Sequence, residues 1–192
     1  MLPELPPESA LGLLTSRLTL EPVREAHASE LWTLLSDPEL HQYVPFEPQS
    51  LKETQARCVR WARRISPTGD ELWLNWLARE ATSGQVIGHF QAGIKEGGVA
   101  SVGYLLARAH QGKGHATEAL TALFEFLRLK LGVREVKAWV DTRNLASRRL
   151  VERLGMSQTE MLSNADFFKG ASSDEAVYSK LLNCEDPRIV GN

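Results

Sequence analysis

The chain has 192 residues, 43% of them hydrophobic and 24% charged, with a formal net charge of −2. That length suits one domain able to bury a core without metal or disulfide staples, and the composition is far from collagen-like, disordered or membrane-spanning sequences. The near-neutral charge excludes a global positive field for nucleic acid or anionic lipid, no stretch approaches the ~20 apolar residues of a membrane span, and Cys58 and Cys184 belong to no metal or redox spacing.

The expected compartment is therefore the reducing cytoplasm, with neither direct nucleic-acid nor membrane partners. Residues 1–14, "MLPELPPESALGLL", lack a basic segment and carry prolines that interrupt any apolar run, so they are expected as a flexible or draped N-terminal arm. A domain should follow over 15–183, with 184–192 as a C-terminal tail. "SRLTLEPV" alternates like a short strand, and Ala28, Leu31, Trp32 and Leu35 then recur at helical spacing up to the break at Pro38. Ser50 and Glu53 form a capping-box pattern for a helix running to about Ile65, whose Arg57, Arg60 and Arg64 would share a solvated face.

Three strand-like runs follow, "ELWLNWLARE", "QVIGHFQAGI" and "VASVGYLLA", joined by turns short enough to imply antiparallel neighbours. Trp73 and Trp76 in the first of them, and Trp139 later, are expected in the core. "HQGKGHATEALTALFEFLRLK" starts on a glycine turn and carries Ala116, Ala119, Leu120, Leu123, Phe124 and Leu127 as one apolar stripe, ended by Gly132. "REVKAWV" reads as a strand, "NLASRRLVERLG" as a helix capped by Asn144, and "SQTEMLS" and "EAVYSKLL" as closing strands. Strand, glycine turn, helix and strand from about 99 to 140 form a βαβ unit, which requires a parallel pair.

Backbone amides left free at a helix start can hold an anion, and glycine lets that anion approach closely. A Walker loop fails here, because Lys113 is followed by Gly114 rather than Ser or Thr. A dinucleotide fingerprint is weak, because Thr117 stands where its third glycine belongs. Gln111-Gly112-Lys113-Gly114-His115-Ala116 satisfies a third design, Gln/Arg-x-x-Gly-x-Gly/Ala, at every specified position.

That stretch resembles the pyrophosphate-binding motif of the GNAT superfamily of acetyl-CoA-dependent N-acetyltransferases, and "GKGHATEAL" is similar to its ribosomal-protein N-terminal acetyltransferase (RimJ/RimL) branch. "DTRNLASRRLVERLGM" resembles the second family signature, and the likeness extends from Thr15 to Leu182 in the right order. The resemblance implies a mixed α/β (α+β) fold: a mostly antiparallel central sheet, splayed at one parallel strand pair and flanked by helices. It implies acetyl-CoA as cosubstrate without a metal, held by the amides of Gly112, Lys113, Gly114, His115, Ala116 and Thr117 behind Gln111. The main chain at Leu105 and Leu106 would pair with the pantetheine arm, and Asn144 would cap its helix while touching that arm.

An amine acceptor, either a protein or peptide N-terminus or a small molecule, would then attack the thioester directly. The chain would work as a monomer or homodimer, and the segment from Leu31 to Gln55 would shape the acceptor side. Many family members carry a tyrosine seven residues after the asparagine to protonate the departing thiolate, but Val151 occupies that position. Ser147 is the candidate for that role, its alternative being an ordinary helix-surface serine. For the general base, the strand glutamate common in the family is missing before Gly103-Tyr104, which leaves His89, Glu71, Glu96 and Asp174 open. Glu118, in the first helical turn, should point away from any diphosphate. The reading from another class is a CoA-binding or interaction module without turnover.

Overall fold

The structure is a computed structural model and describes residues 1–182; the expected tail at 184–192 and Cys184 lie outside the described residues. One eight-stranded sheet runs in the order β1-β2-β3-β4-β5-β6-β8-β7. Its first half comprises β1 (Leu13–Leu14), β2 (Leu18–Pro22), β3 (Glu71–Glu80), β4 (Val86–Lys95) and β5 (Val99–Leu106). The second half comprises β6 (Glu135–Asp141), β7 (Ser157–Phe168) and β8 (Ala171–Leu181). All neighbours are antiparallel except β5 and β6, so the expected mixed sheet with a single parallel pair is what forms.

Helices cover both faces. α3 (His115–Leu131) and α4 (Leu145–Arg153) pack on one. There Leu120, Leu123 and Leu127 are fully buried with Trp76, Phe90 and Tyr178, each Leu contributing about 1.5–3 kcal/mol over an exposed position. Phe126, outside the expected stripe, is also buried and meets Trp76 edge-on at 5.9 Å. α1 (Ala28–Leu35) and α2 (Leu51–Trp61) pack on the other face against Leu77, with Leu105 alongside.

Local physics explains where the elements depart from their expected bounds. The Ser50–Glu53 capping box starts α2 as expected. The helix stops at Trp61 because Arg64 adopts a left-handed φ of 61° and folds inward, its Nη1 donating to the Val23 carbonyl at 2.8 Å. Arg64 therefore leaves the solvated face predicted for it. β7 and β8 run together well beyond "SQTEMLS" and "EAVYSKLL", through a polar, exposed stretch held by its main-chain ladder. The opening residues are draped on the core: Leu2 and Leu5 pack against it, Leu11 is buried, and the Leu11 carbonyl accepts from Trp76 Nε1 at 2.7 Å. Trp76 is core as expected, whereas Trp139 is 46% exposed.

Candidate active site

β5 and β6 pair only over Val99↔Glu135, Ala100↔Val136 and Ser101↔Lys137. Each nevertheless keeps its outer partner, β5 staying with β4 to Leu106 and β6 with β8 to Asp141. Beyond Ser101 and Lys137 the two strands therefore part, and roughly 16 Å of β5 presents an inner edge without a strand partner. Alternate amides of a strand point to opposite sides. Since the Ala107 amide donates to Ile87 on β4, the Leu106 amide is turned toward the opening.

The glycine turn closes the top of one wall. Gln111 Nε2 donates back to the Leu106 carbonyl at 2.9 Å, tying the turn to the strand end. Gly112 and Gly114 have φ of 72° and 83°, a region that strains any residue with a Cβ, and the space above Gly112 is open. Gly114 is the N-cap of α3 and offers no side-chain cap, so the amides of the first turn, His115 to Thr117, stand at the positive end of a 17-residue helix. The His115 ring points into the protein and is buried.

A brace holds this turn from behind. Glu118 accepts from Thr15 Oγ1, Ser16 Oγ and the Arg17 amide through one carboxylate oxygen, and from Arg17 Nε at 2.6 Å through the other. Arg17 Nη1 also donates to the Lys113 carbonyl at 2.9 Å. Burial alone would raise the Glu118 carboxyl, but this set of donors holds it down at about 2. Glu118 thus points away from the amides, as electrostatics requires.

The other wall is β6 and α4. Asn144 caps α4, its side-chain oxygen accepting from the Ser147 amide at 3.0 Å. From the first turn of that helix, Ser147 Oγ meets the Tyr104 hydroxyl of β5 at 2.5 Å, so one hydrogen bond spans the parted strands. Burial pushes the Tyr104 phenol up to about 12, against a smaller opposing pull from Ser147. Tyr104 was not singled out from the sequence; its partner lies 43 residues away, and the Gly-aromatic pair marked only the missing glutamate.

The structure separates the four candidate bases. His89 is buried, stacked on Trp61 at 4.8 Å and bonded to Asn75 Oδ1 at 3.1 Å, and burial lowers it to about 4. It is a core histidine. Glu71 and Glu96 lie at the far end of the sheet, Glu71 opposite Lys95 and Glu96 against the Met1 amino group. Asp174 does lie near the opening, but its side chain accepts from the Asn164 amide at 2.8 Å.

Cross-strand partners share a face, so Trp139, Asp141 and Glu175 face away from α3 and α4. Burial opposes the Asp141 carboxylate, but Arg143 and Ser173 more than offset it and keep it below the usual carboxylate range. Glu175 differs: burial first, then the like charges Asp166 and Asp141, push its carboxyl upward. Lys169, in the β7–β8 turn, reaches across to donate to the His41 carbonyl, and the Arg143 guanidinium lies 5.5 Å over Phe168. Lys169 thereby ties the β7–β8 turn to His41 and, at 3.9 Å, to Glu47, both within the region expected to shape the acceptor side.

Residues 17–157 match the family model described as "Acetyltransferase (GNAT) domain". Over 88% of the chain and 95% of its relative, the sequence is 29% identical to the uncharacterized N-acetyltransferase p20 of Bacillus licheniformis. Among solved structures, RimL, a ribosomal L7/L12 α-N-protein acetyltransferase in complex with coenzyme A, superposes with a TM-score of 0.79 at 20% identity, covering 88% of this chain and 97% of that one. The spermidine N-acetyltransferase from Vibrio cholerae, in complex with CoA and spermine, gives 0.74 at 20% identity over 87% and 96% of the two chains. At such identity the structures testify to a shared fold.

Proposed function

The chain belongs to the GNAT acetyltransferase family, and from that membership we propose that it moves an acetyl group from acetyl-CoA directly to a primary amine within a ternary complex. One observation carries the reading: β5 parts from β6 beyond Ser101, leads through the glycine turn into the uncapped start of α3, and bonds Ser147 of α4 through Tyr104. These are the groups that a diphosphate, a pantetheine amide and a departing thiolate need.

The amides from Gly112 to Thr117 and the dipole of α3 would offset the roughly two charges of a diphosphate. Pantetheine would lie along the free edge of β5 as an added strand, with Asn144 opposite. It would bond the main chain of Leu106 rather than that of Leu105, which by the same alternation faces β4 and departs from the expectation. The Leu106 amide, turned into the opening, would polarise the thioester carbonyl as the amine attacks, a contribution of about 10²–10³ in rate for a well-placed donor. The C–S electron pair moves to sulfur, where the Ser147 hydroxyl would stabilise the thiolate by a hydrogen bond until solvent protonates it. The proton released by the amine would pass to water, and an α-amino group with a pKa of about 7.7–8.0 needs no strong base to be partly neutral at pH 7.

The named neighbours acetylate a ribosomal protein and spermidine, which favours an amine acceptor of either class for this chain. The buried free thiol of Cys58 suits the reducing cytoplasm proposed as its compartment. The test mixes the protein, acetyl-CoA and a panel of N-terminal peptides and polyamines, and titrates released thiol. Release above hydrolysis with at least one acceptor supports the reading. Firm CoA binding with hydrolysis-level thiol for every amine would instead support the inert module.

A further inference from the structure

We propose that Tyr104 is the positioning residue that aims the Ser147 hydroxyl at the departing sulfur; the inference rests on the acetyl-transfer reading above. The two hydroxyls approach to 2.5 Å across the opening, one from β5 and one from α4. Both are fixed from behind. The Tyr104 ring stacks on buried Phe90 at 6.3 Å, and the Ser147 backbone is held by the Asn144 cap at 3.0 Å.

A serine hydroxyl has one proton and two acceptor lone pairs. If Ser147 gave its proton to Tyr104, it would have none for sulfur. A phenol is the more acidic partner and the better donor, so the favoured arrangement is Tyr104 O–H to Ser147 Oγ. The proton of Ser147 is then left free for another acceptor.

Accepting from a phenol also polarises the serine O–H, because hydrogen bonds in a chain strengthen one another. When the C–S bond breaks, its electron pair passes to sulfur, and the Ser147 O–H donates a hydrogen bond to the new thiolate, which takes its proton from solvent. Tyr104 keeps its own proton throughout, as expected of a phenol that burial holds at about 12. Without the Tyr104 hydroxyl, Ser147 would be free to rotate among its staggered wells, including one that bonds the preceding helical turn.

The experiment needs no acceptor. Free CoA is bound to the parent protein, to Tyr104→Phe, to Ser147→Ala and to the double variant, and the bound thiol is titrated by thiolate absorbance. A donor to the thiolate lowers the thiol's titration point. Each single variant should therefore titrate about one pH unit higher than the parent, the equivalent of roughly tenfold, with CoA affinity unchanged within about twofold. The double variant should add nothing further, because the two hydroxyls act as one chain.

A Tyr104→Phe complex that titrates like the parent, or a double variant equal to the sum of the singles, overturns the inference. Phe retains the stack on Phe90. Should that variant nevertheless fail to fold, 3-fluorotyrosine at 104 decides the matter: a stronger donor of the same shape should move the bound thiol below the parent, and an unmoved thiol contradicts the proposal. Absence of CoA binding to the folded parent would defeat the acetyltransferase reading itself, a result distinct from an unmoved thiol with CoA bound.

Discussion

Gly114 caps α3 at a φ of 83°, with Arg17 Nη2 only 3.3 Å from where a Cβ would stand. Gly114→Ala is expected to cost about 1–3 kcal/mol of stability, read by denaturant unfolding, and to weaken CoA by disturbing the Lys113 carbonyl that Arg17 holds. Ser147→Ala should lower kcat by about 10²-fold or more with any acceptor that turns over, while calorimetry finds CoA affinity near that of the parent. Equal losses in both measurements would instead make Ser147 a binding residue. The two glycines of the turn were legible because left-handed backbone favours glycine, even though Arg64 adopts it as well. Tyr104 was not, since a phenol facing a serine 43 positions away depends on how two elements pack and leaves no local pattern. Val151, buried where a proton-donating tyrosine would otherwise stand, was legible as a departure; the phenol that arrives from the opposite wall was not.

Elements carry two electrostatic consequences. The brace between Glu118 and the β1–β2 turn lowers a carboxyl from 4.5 to about 2. A depressed carboxyl contributes stability that is present above its unfolded pKa and is lost as pH falls, so this contribution should fade between about 4.5 and 2. Glu118→Gln should remove that acid sensitivity, cost about 1–3 kcal/mol at neutral pH and loosen the glycine turn, which thermal melts at several pH values would reveal. His89 acts in a higher window. Its folded pKa of about 4 lies below the unfolded 6.5, so the unfolded chain binds the extra proton first and stability falls as pH drops from 6.5 toward 4. The loss should approach roughly 3 kcal/mol, and His89→Gln, which retains a polar partner for Asn75, should flatten it. Element types were legible from their periods, and element ends less so. α2 overshoots in the sequence because its pattern continues past the point where Arg64 turns left-handed, and β7 and β8 were cut short because polar, exposed strand residues show no apolar alternation.

At the scale of the whole molecule, function follows from one mismatch: β5 and β6 are neighbours at their starts and strangers at their ends. The order of elements and the parallel crossover follow from spacing and handedness. The parting of the strands does not, because each strand reads as an ordinary strand and the divergence is written in which neighbour each keeps; only the family resemblance anticipated it. The Glu118 brace is equally a whole-fold property, joining residues about a hundred positions apart.

The most direct test of the central claim is calorimetry of CoA titrated into the full chain and into Gly112→Val. The space above Gly112 is open within the protein, so a side chain there meets no neighbour and strains the turn only through its φ of 72°, by about 1–2 kcal/mol, yet would stand in the proposed diphosphate site. Saturable heat at one CoA per chain, weakened at least about tenfold in a variant that still unfolds cooperatively, is the predicted result. A folded parent protein that gives no heat with CoA, or a Gly112→Val variant that binds it equally well, would contradict the account.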